Sequence, residues 1–445
     1  MSVITVQVGQ CGNQLGQSLF EELATALNQG SKHFNDQDWL PFFRHSESLS
    51  LSNPSKESAP IARSVLIDME PKVVQSALQR SKNQAWRYPE NRSFEEQSGS
   101  GNNWGAGFSK HGPRIAGHCL ELIRREAECA DWLGGMLMVQ SVAGGTGAGV
   151  GSYLAETIGD EFPSTSMLNY CIWPYSTGEV MVQNYNSILT LSQLSGQSAG
   201  TILVENDSLL GICRRQHAIE NVTLGDMNRV AARSLAGILL PSSSHPSTGG
   251  REAPNRPTRL LIDLVEHLCC HRSFPLLSLW STPQMPSTSV EFTSFSWTSL
   301  IKTLRQDMLG EASLERTHSN DAGNRVRTRG VKSVANFVVL RGKGGREVNL
   351  GCLEDPSNAV YPRWNPTPLK VAHHDARLSG YAISGAVLSN SQAALVPVVR
   401  SKERAWRMFR SRAFVHQYER YGVEAADFQI AFSMLEDIIA SYIAL

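Results

Sequence analysis

The densest chemistry in the chain lies in "SVAGGTGAGVG" (141–151), where glycine occupies 144, 145, 147, 149 and 151 and Thr146 stands among them. Glycines this close together bare the backbone, so that N–H groups and the positive end of a helix can meet an anion. One or two would suffice for a tight turn; five point to phosphate. Neither common phosphate motif is present. No Gly-Lys-Ser/Thr closes the loop as a P-loop requires, and the first apolar run leads into "GQCGNQLG" (9–16) rather than G-x-G-x-x-G. A phosphate site here is built without lysine, from backbone amides, Thr146 and a metal.

Four other segments in the same half carry compatible groups. Asp68 and Glu70 in "IDMEP" offer carboxylates that hold Mg²⁺ through water, as is usual on nucleotide phosphates. "GSGNNWGAG" (99–107) is a second glycine-rich loop with side-chain amides, "PYSTGEVMVQNYN" (174–186) is placed to reach a ribose, and "VEND" (204–207) puts Asn206 at a strand end. Singly these are ordinary turn residues; five such loops in one half are a site.

The elements that must position them alternate. "VITVQV" (3–8) reads as a strand, followed by a glycine-marked turn and a helix from about Gln14 to Leu27. Strands are expected at 64–69, 134–142, 167–174 and 200–206, and helices at 115–128 and 152–162. This is the pattern of a doubly wound parallel sheet with helices on both faces, whose ligands sit at the carboxyl ends of the strands. "TLGDMNRVAARSLAGILL" (223–240) opens on a capping pair, Thr223 with Asp226, and runs at helical spacing to Pro241. The Pro/Ser/Gly-rich stretch 241–257 and the polar stretch 311–332 read as exposed, flexible loops. A second α/β region follows, with a helix at about 258–270, a strand at 276–280, a helix at 299–309 and strands at 334–343 and 381–390. The chain closes on helices at 401–418 and 424–444.

The 41 Lys and Arg balance 41 Asp and Glu, which disfavours a nucleic-acid partner. Eight cysteines (11, 119, 129, 171, 213, 269, 270, 352) are scattered through stretches that read as core, as in a reduced compartment. "EHLCCH" (266–271) lacks a second ligand pair with zinc spacing and is read as structural. No signal peptide and no run of about 18 apolar residues is present, so no membrane partner is expected.

The loops "GQCGNQ", "DMEP", "GSGNNWGAG", "AGGTGAG" and "ENDSL" stand in the order and spacing of the tubulin nucleotide loops, and the chain resembles that family from end to end, "LRGK" (340–343) and "RAFVHQY" (412–418) included. "WGAGFSKHGPR" (104–114) and "IWPYSTGEVMVQNYNSILTLS" (172–192) are most similar to the delta type. The resemblance implies a GTP-binding domain over 1–222, a central helix at 223–240, an intermediate α/β domain at 241–390 and a helical region at 391–445. It implies GTP or GDP with Mg²⁺ as cofactors. Gln10, Cys11 and Gln14 would lie under the nucleotide, and Asn102 with Gly144, Gly145, Thr146, Gly147, Ala148 and Gly149 would meet the phosphates. Thr177 and Gln183 would approach the ribose, Asn206 and Asn228 would read guanine through their amides, and Asp68 and Glu70 would face the metal. Leu224 stands where many tubulins stack an aromatic ring on the base, which implies a modest affinity. Glu266, with Asp263 three residues before it, matches the position from which alpha-tubulin activates water on the next subunit's GTP.

The implied partners are other tubulins in head-to-tail contact and centriolar proteins. The implied location is the cytoplasmic cytoskeleton, at the centriole or centrosome and the basal body of the cilium. The chain ends "IIASYIAL", without the acidic tail read by motors and modifying enzymes. A non-polymerising GTP-binding adaptor is the main alternative. An NAD(P) oxidoreductase is a weaker one, because its fingerprint and acidic ribose clamp are missing.

Overall fold

The computed structural model describes residues 1–30, 33–45, 59–178, 180–244, 260–308, 331–354 and 360–445. The flexible loops expected at 241–257 and 311–332 lie outside these residues from 245 and up to 330 respectively. The apolar runs form strands β1 (Ser2–Val8), β2 (Phe43–Arg44), β3 (Ile61–Ala62), β4 (Ser64–Asp68), β5 (Ser93–Glu95), β6 (Leu133–Ser141), β7 (Met167–Trp173) and β8 (Gly200–Glu205). The second half adds β9 (Ser243–Ser244), β10 (Leu276–Thr282), β11 (Ser333–Gly342), β12 (Leu369–His374) and β13 (Ile383–Ser391).

Six strands of the first half lie in the order β5-β4-β1-β6-β7-β8, every neighbouring pair parallel. Counted along the chain this is 3-2-1-4-5-6, the doubly wound order, and the strand order reverses between β1 and β6. β10 extends the same sheet by pairing parallel to β8 over Leu276–Ser278. β13, β11, β12 and β9 follow, with mixed directions. The two halves therefore share one eleven-stranded sheet.

Strand alternation separates two cores. Leu137 and Val139 of β6 and Leu168 and Tyr170 of β7 face one layer; Met136, Met138, Met167 and Cys171 face the other. The first layer is covered by α1 (Gly9–Gln29), α2 (Pro71–Ser81), α7 (Leu224–Leu239) and α8 (Leu260–Leu268). The second is covered by α3 (Gly112–Glu128), α4 (Gly151–Glu161), α5 (Gln183–Gln197) and the terminal helices Leu395–Arg410 and Ala425–Ile443. Helix α9 (Trp297–Met308) buries Leu300 and Leu304 against β11 and β13 in a third cluster.

Helix α7 is held at both ends. Thr223 Oγ1 accepts from Asp226 N–H at 3.3 Å, and the Asp226 carboxylate accepts from Thr223 N–H at 3.0 Å, completing the expected capping box. At the other end the buried guanidinium of Arg341, on β11, donates to the carbonyls of Gly237, Leu240 and Pro241 at 3.0, 2.6 and 3.1 Å.

The structure departs from the sequence reading at several elements. α1 begins at Gly9, directly after β1, because Gly9 turns the chain at φ +73° without ending the hydrogen-bonded run. α2, α6 (Asn206–Arg215) and β12 are elements that the sequence reading lacks, although α2 buries Val74, Ala77 and Ser81 and α6 buries Leu209 and Cys213 at helical spacing. Residues 401–418 are not one helix. The first terminal helix starts at Leu395 and stops at Arg410, where Arg412 and Phe414 take left-handed backbone. No described helix is long and apolar enough to cross a membrane.

Candidate functional site

The loops leaving β1, β4, β6, β7 and β8 gather at the carboxyl edge of the sheet, beside the reversal point. Gly9 and the glycine loop meet there: a Cβ on Gly9 would stand 2.8 Å from Gly147 N. The glycine loop winds as a π-helical turn over Thr146–Val150 before α4, and the second loop winds likewise over Ala106–His111 before α3. The two turns interlock. A Cβ on Gly145 would come within 2.5 Å of Ser100 Cβ, and one on Gly149 within 2.3 Å of Trp104 O. Ser100 Oγ and Thr146 Oγ1 lie 3.3 Å apart. The glycines are thus required by backbone approach at the place where phosphate was expected.

Asn186, fully buried on α5, ties this assembly together. Its amide nitrogen donates to Asn102 O (2.8 Å) and Ala143 O (2.6 Å), while its oxygen accepts from Trp104 N–H (3.0 Å) and Tyr418 Oη–H (2.6 Å). Its role is not legible in the sequence, because its four partners come from three separate stretches of chain, 102–104, 143 and 418. Asn102 is exposed in left-handed backbone at φ +54°, and Gly144 lies beside it, 3.8 Å from Asn102 Oδ1 to the built Cβ.

At the start of α1, Gln10 is exposed, Gln14 is half-buried, and burial pushes the Cys11 thiol up to about 12, which keeps it neutral. Asn13, fully buried and not singled out from the sequence, donates to Gly9 O and Ile67 O at 2.9 and 3.1 Å. Its Oδ1 and the Oδ2 of adjacent Asp68 are both buried without a hydrogen-bond partner. Burial also pushes the Asp68 carboxyl up to about 6, although it accepts from Met69 N–H at 2.8 Å. Two orphaned oxygens and a desolvated carboxyl suit a hydrated cation. Glu70 is exposed, its carboxylate against Gly99 at 3.0 Å from the built Cβ.

The segment after β7 is tied to the helices that follow. Ser176 N–H donates to Asp207 Oδ2 at 2.7 Å, and Tyr175 Oη–H reaches Met227 Sδ at 3.4 Å. Thr177 is exposed on this loop, whereas Gln183 is buried, its amide donating to Tyr175 O at 2.9 Å. Asn206 opens α6 and Asn228 lies one turn into α7; the two helices pack together and both residues are half-buried. Leu224, at the first position of α7, is exposed.

Asp263 and Glu266 are not part of this gathering. Helix α8 begins against the amino end of β6, where Leu261 side-chain atoms lie 3.0 Å from the Cβ position of Gly135. The glycine loop leaves the other end of that strand after Ser141, on the order of 20 Å away at strand rise. Asp263 is half-buried and Glu266 exposed.

Residues 2–214 match the model of the Tubulin/FtsZ family, GTPase domain. The chain is 36% identical to a tubulin delta chain of Macaca fascicularis and 37% identical to one of Mus musculus, each over 99% of both chains. It is also 28% identical to a tubulin beta-1 chain of Chondrus crispus, over 99% of this chain and 93% of that one.

Proposed function

The chain belongs to the tubulin family, and from that premise we propose that it is a GTP-binding subunit of delta type that acts at centrioles and basal bodies in forming or maintaining triplet microtubules. The observation that carries the nucleotide part is the interlocked pair of glycine turns at the reversal point of the sheet, closed by Gly9 and clamped by Asn186. Backbone N–H groups of 144–149 and the side chains of Thr146 and Asn102 bind phosphate. Gln10, Cys11 and Gln14 floor the site, the loop carrying Thr177 closes over the ribose with Gln183 holding that loop, and Asn206 and Asn228 read the base edge. When bound, Mg²⁺ neutralises phosphate charge, with Asp68 and Glu70 holding its water shell.

Chromatography of the nucleotide released from purified, denatured protein tests this directly. GTP or GDP is expected, with ATP bound far more weakly, because a base of the wrong pattern leaves buried amides unpaired. Equal affinity for ATP, or a released dinucleotide, overturns the assignment. The centriolar role is tested by the position of a tagged chain in ciliated cells and by counting microtubules per triplet after its removal. The NAD(P) alternative has neither its sequence fingerprint nor family support.

A further inference from the structure

The chain as a whole is neutral, yet residues 400–420 carry seven Lys or Arg against two Glu. Part of that charge has a structural use: Lys402 pairs with Glu436 at 2.7 Å, and Arg404 donates to Ser176 O. Arg400, Arg407, Arg410 and Arg412 make no ion pair among the described residues. On the helix Leu395–Arg410 the buried positions, Val398, Ser401 and Ala405, face the core. At 100° per residue, Arg400, Glu403, Trp406, Arg407 and Arg410 share the opposite side. Arg407 and Arg410 complement the helix dipole in its last turn, but that accounts for neither Arg400 at the other end nor Arg412 beyond it.

Trp406 stands within this row, 43% exposed, and is held in place rather than free. Its ring meets Phe432 edge-on at 5.0 Å and lies 6.0 Å from Phe409. Exposed Trp beside unpaired Arg is the composition of a binding hot spot, and guanidinium forks grip carboxylates in pairs. We propose that this face binds an acidic peptide segment of a partner protein, its carboxylates on Arg407 and Arg410 and an apolar side chain on Trp406. Glu403 within the row, and exposed Glu436 and Asp437 on the adjoining helix, oppose a continuous layer of phosphates. Spaced carboxylates of a peptide can straddle them.

The test titrates the full-length chain into a fluorescein-labelled peptide of phenylalanine between two runs of three glutamates. Saturable binding that weakens as salt rises is expected. Arg407→Glu/Arg410→Glu should weaken it by about tenfold or more, and Trp406→Ala by severalfold. If the charge-reversed chain does not fold by circular dichroism, Arg407→Gln/Arg410→Gln serves in its place and should show the same direction of loss. No binding by the wild-type chain, or equal binding by the folded variants, overturns the proposal. So does displacement of the peptide by duplex RNA or anionic vesicles that bind the same residues more tightly, since the face would then read phosphate.

Discussion

At the residue scale the candidate site rests on atoms that are missing and on two oxygens, Asn13 Oδ1 and Asp68 Oδ2, that are unpaired. A Cβ at Gly147 would stand 3.0 Å from Ser141 O and 3.2 Å from Ser141 N, so a branched side chain must push the glycine turn off the end of β6. Gly147→Val is therefore expected to purify without nucleotide and to melt earlier. Bound ligand contributes about 2.7 kcal/mol at a hundredfold excess over its dissociation constant, and the variant forfeits this. Gly117, in the exposed middle of α3 with open space around its Cβ position, is the control. Gly117→Ala should retain nucleotide and gain roughly 0.5–1 kcal/mol in stability. A Gly147→Val chain that retains GTP would show the loop to be only a turn. Asp68 supplies a second test, with a definite sign. Because folding raises its proton affinity, the folded chain holds that proton more tightly than the unfolded chain between roughly pH 4 and pH 6. Stability contributed by this group is present at low pH, declines across that window, and is absent above it. Asp68→Asn should thus raise the melting temperature of the nucleotide-free protein at pH 7, by about 1–2 kcal/mol of stability, and lose that advantage near pH 4. With Mg²⁺ and GTP added the order should invert, as the wild-type carboxylate regains a cation.

At the element scale, α7 couples the two halves. Asn228 lies one turn into it beside α6, and its last carbonyls are held by Arg341 from β11 of the second half. Burial lowers that guanidinium to about 9, which leaves it charged at neutral pH, and three carbonyls share its fork. Arg341→Leu strands those carbonyls and should cost on the order of 3 kcal/mol in denaturant unfolding. Arg341→Lys should recover little, since an ammonium cannot serve three fixed directions. Rescue by lysine would mean that charge, not geometry, matters here. How much of this was legible depended on how local the signal was. The capping box of α7 and the buried strands β1, β6, β7 and β13 announce themselves in a few adjacent residues. The start of α1 was misread because glycines that look like a turn continue as helix, and the π-helical turns have no side-chain periodicity of their own. α6, "NDSLLGICRR", is too polar and too short to stand out from a loop. Arg341 and Asn186 were illegible as clamps. Their partners lie about a hundred residues away for Arg341, and on both sides of the chain for Asn186, so only the folded topology supplies them.

At the scale of the whole molecule, the site and the acidic pair of α8 occupy opposite edges of the shared sheet. Glu266 cannot orient water on this chain's own phosphate across the length of β6, so the isolated chain should hydrolyse GTP very slowly. In a head-to-tail stack the geometry changes, because the edge bearing α8 would face the carboxyl edge of the next subunit. An exposed glutamate brought there can position water and assist proton transfer, a role typically worth 10²–10⁴-fold in rate. Exposure matters to the test. Glu266 makes no buried contact whose loss would unfold the chain, whereas Asp263 is half-buried and has interactions of its own. Glu266→Ala is therefore the informative substitution. It should leave GTP retention and melting temperature of the single chain unchanged, and slow turnover about a hundredfold or more in a reconstituted complex with a tubulin partner. Sedimentation with and without GTP must first establish that the complex forms, since a non-polymerising adaptor would sediment alone under both conditions. Equal turnover by mutant and wild-type complexes would reduce Glu266 to a surface charge. A complex that forms and turns over only with Glu266 intact would make this chain the activating half of the pair.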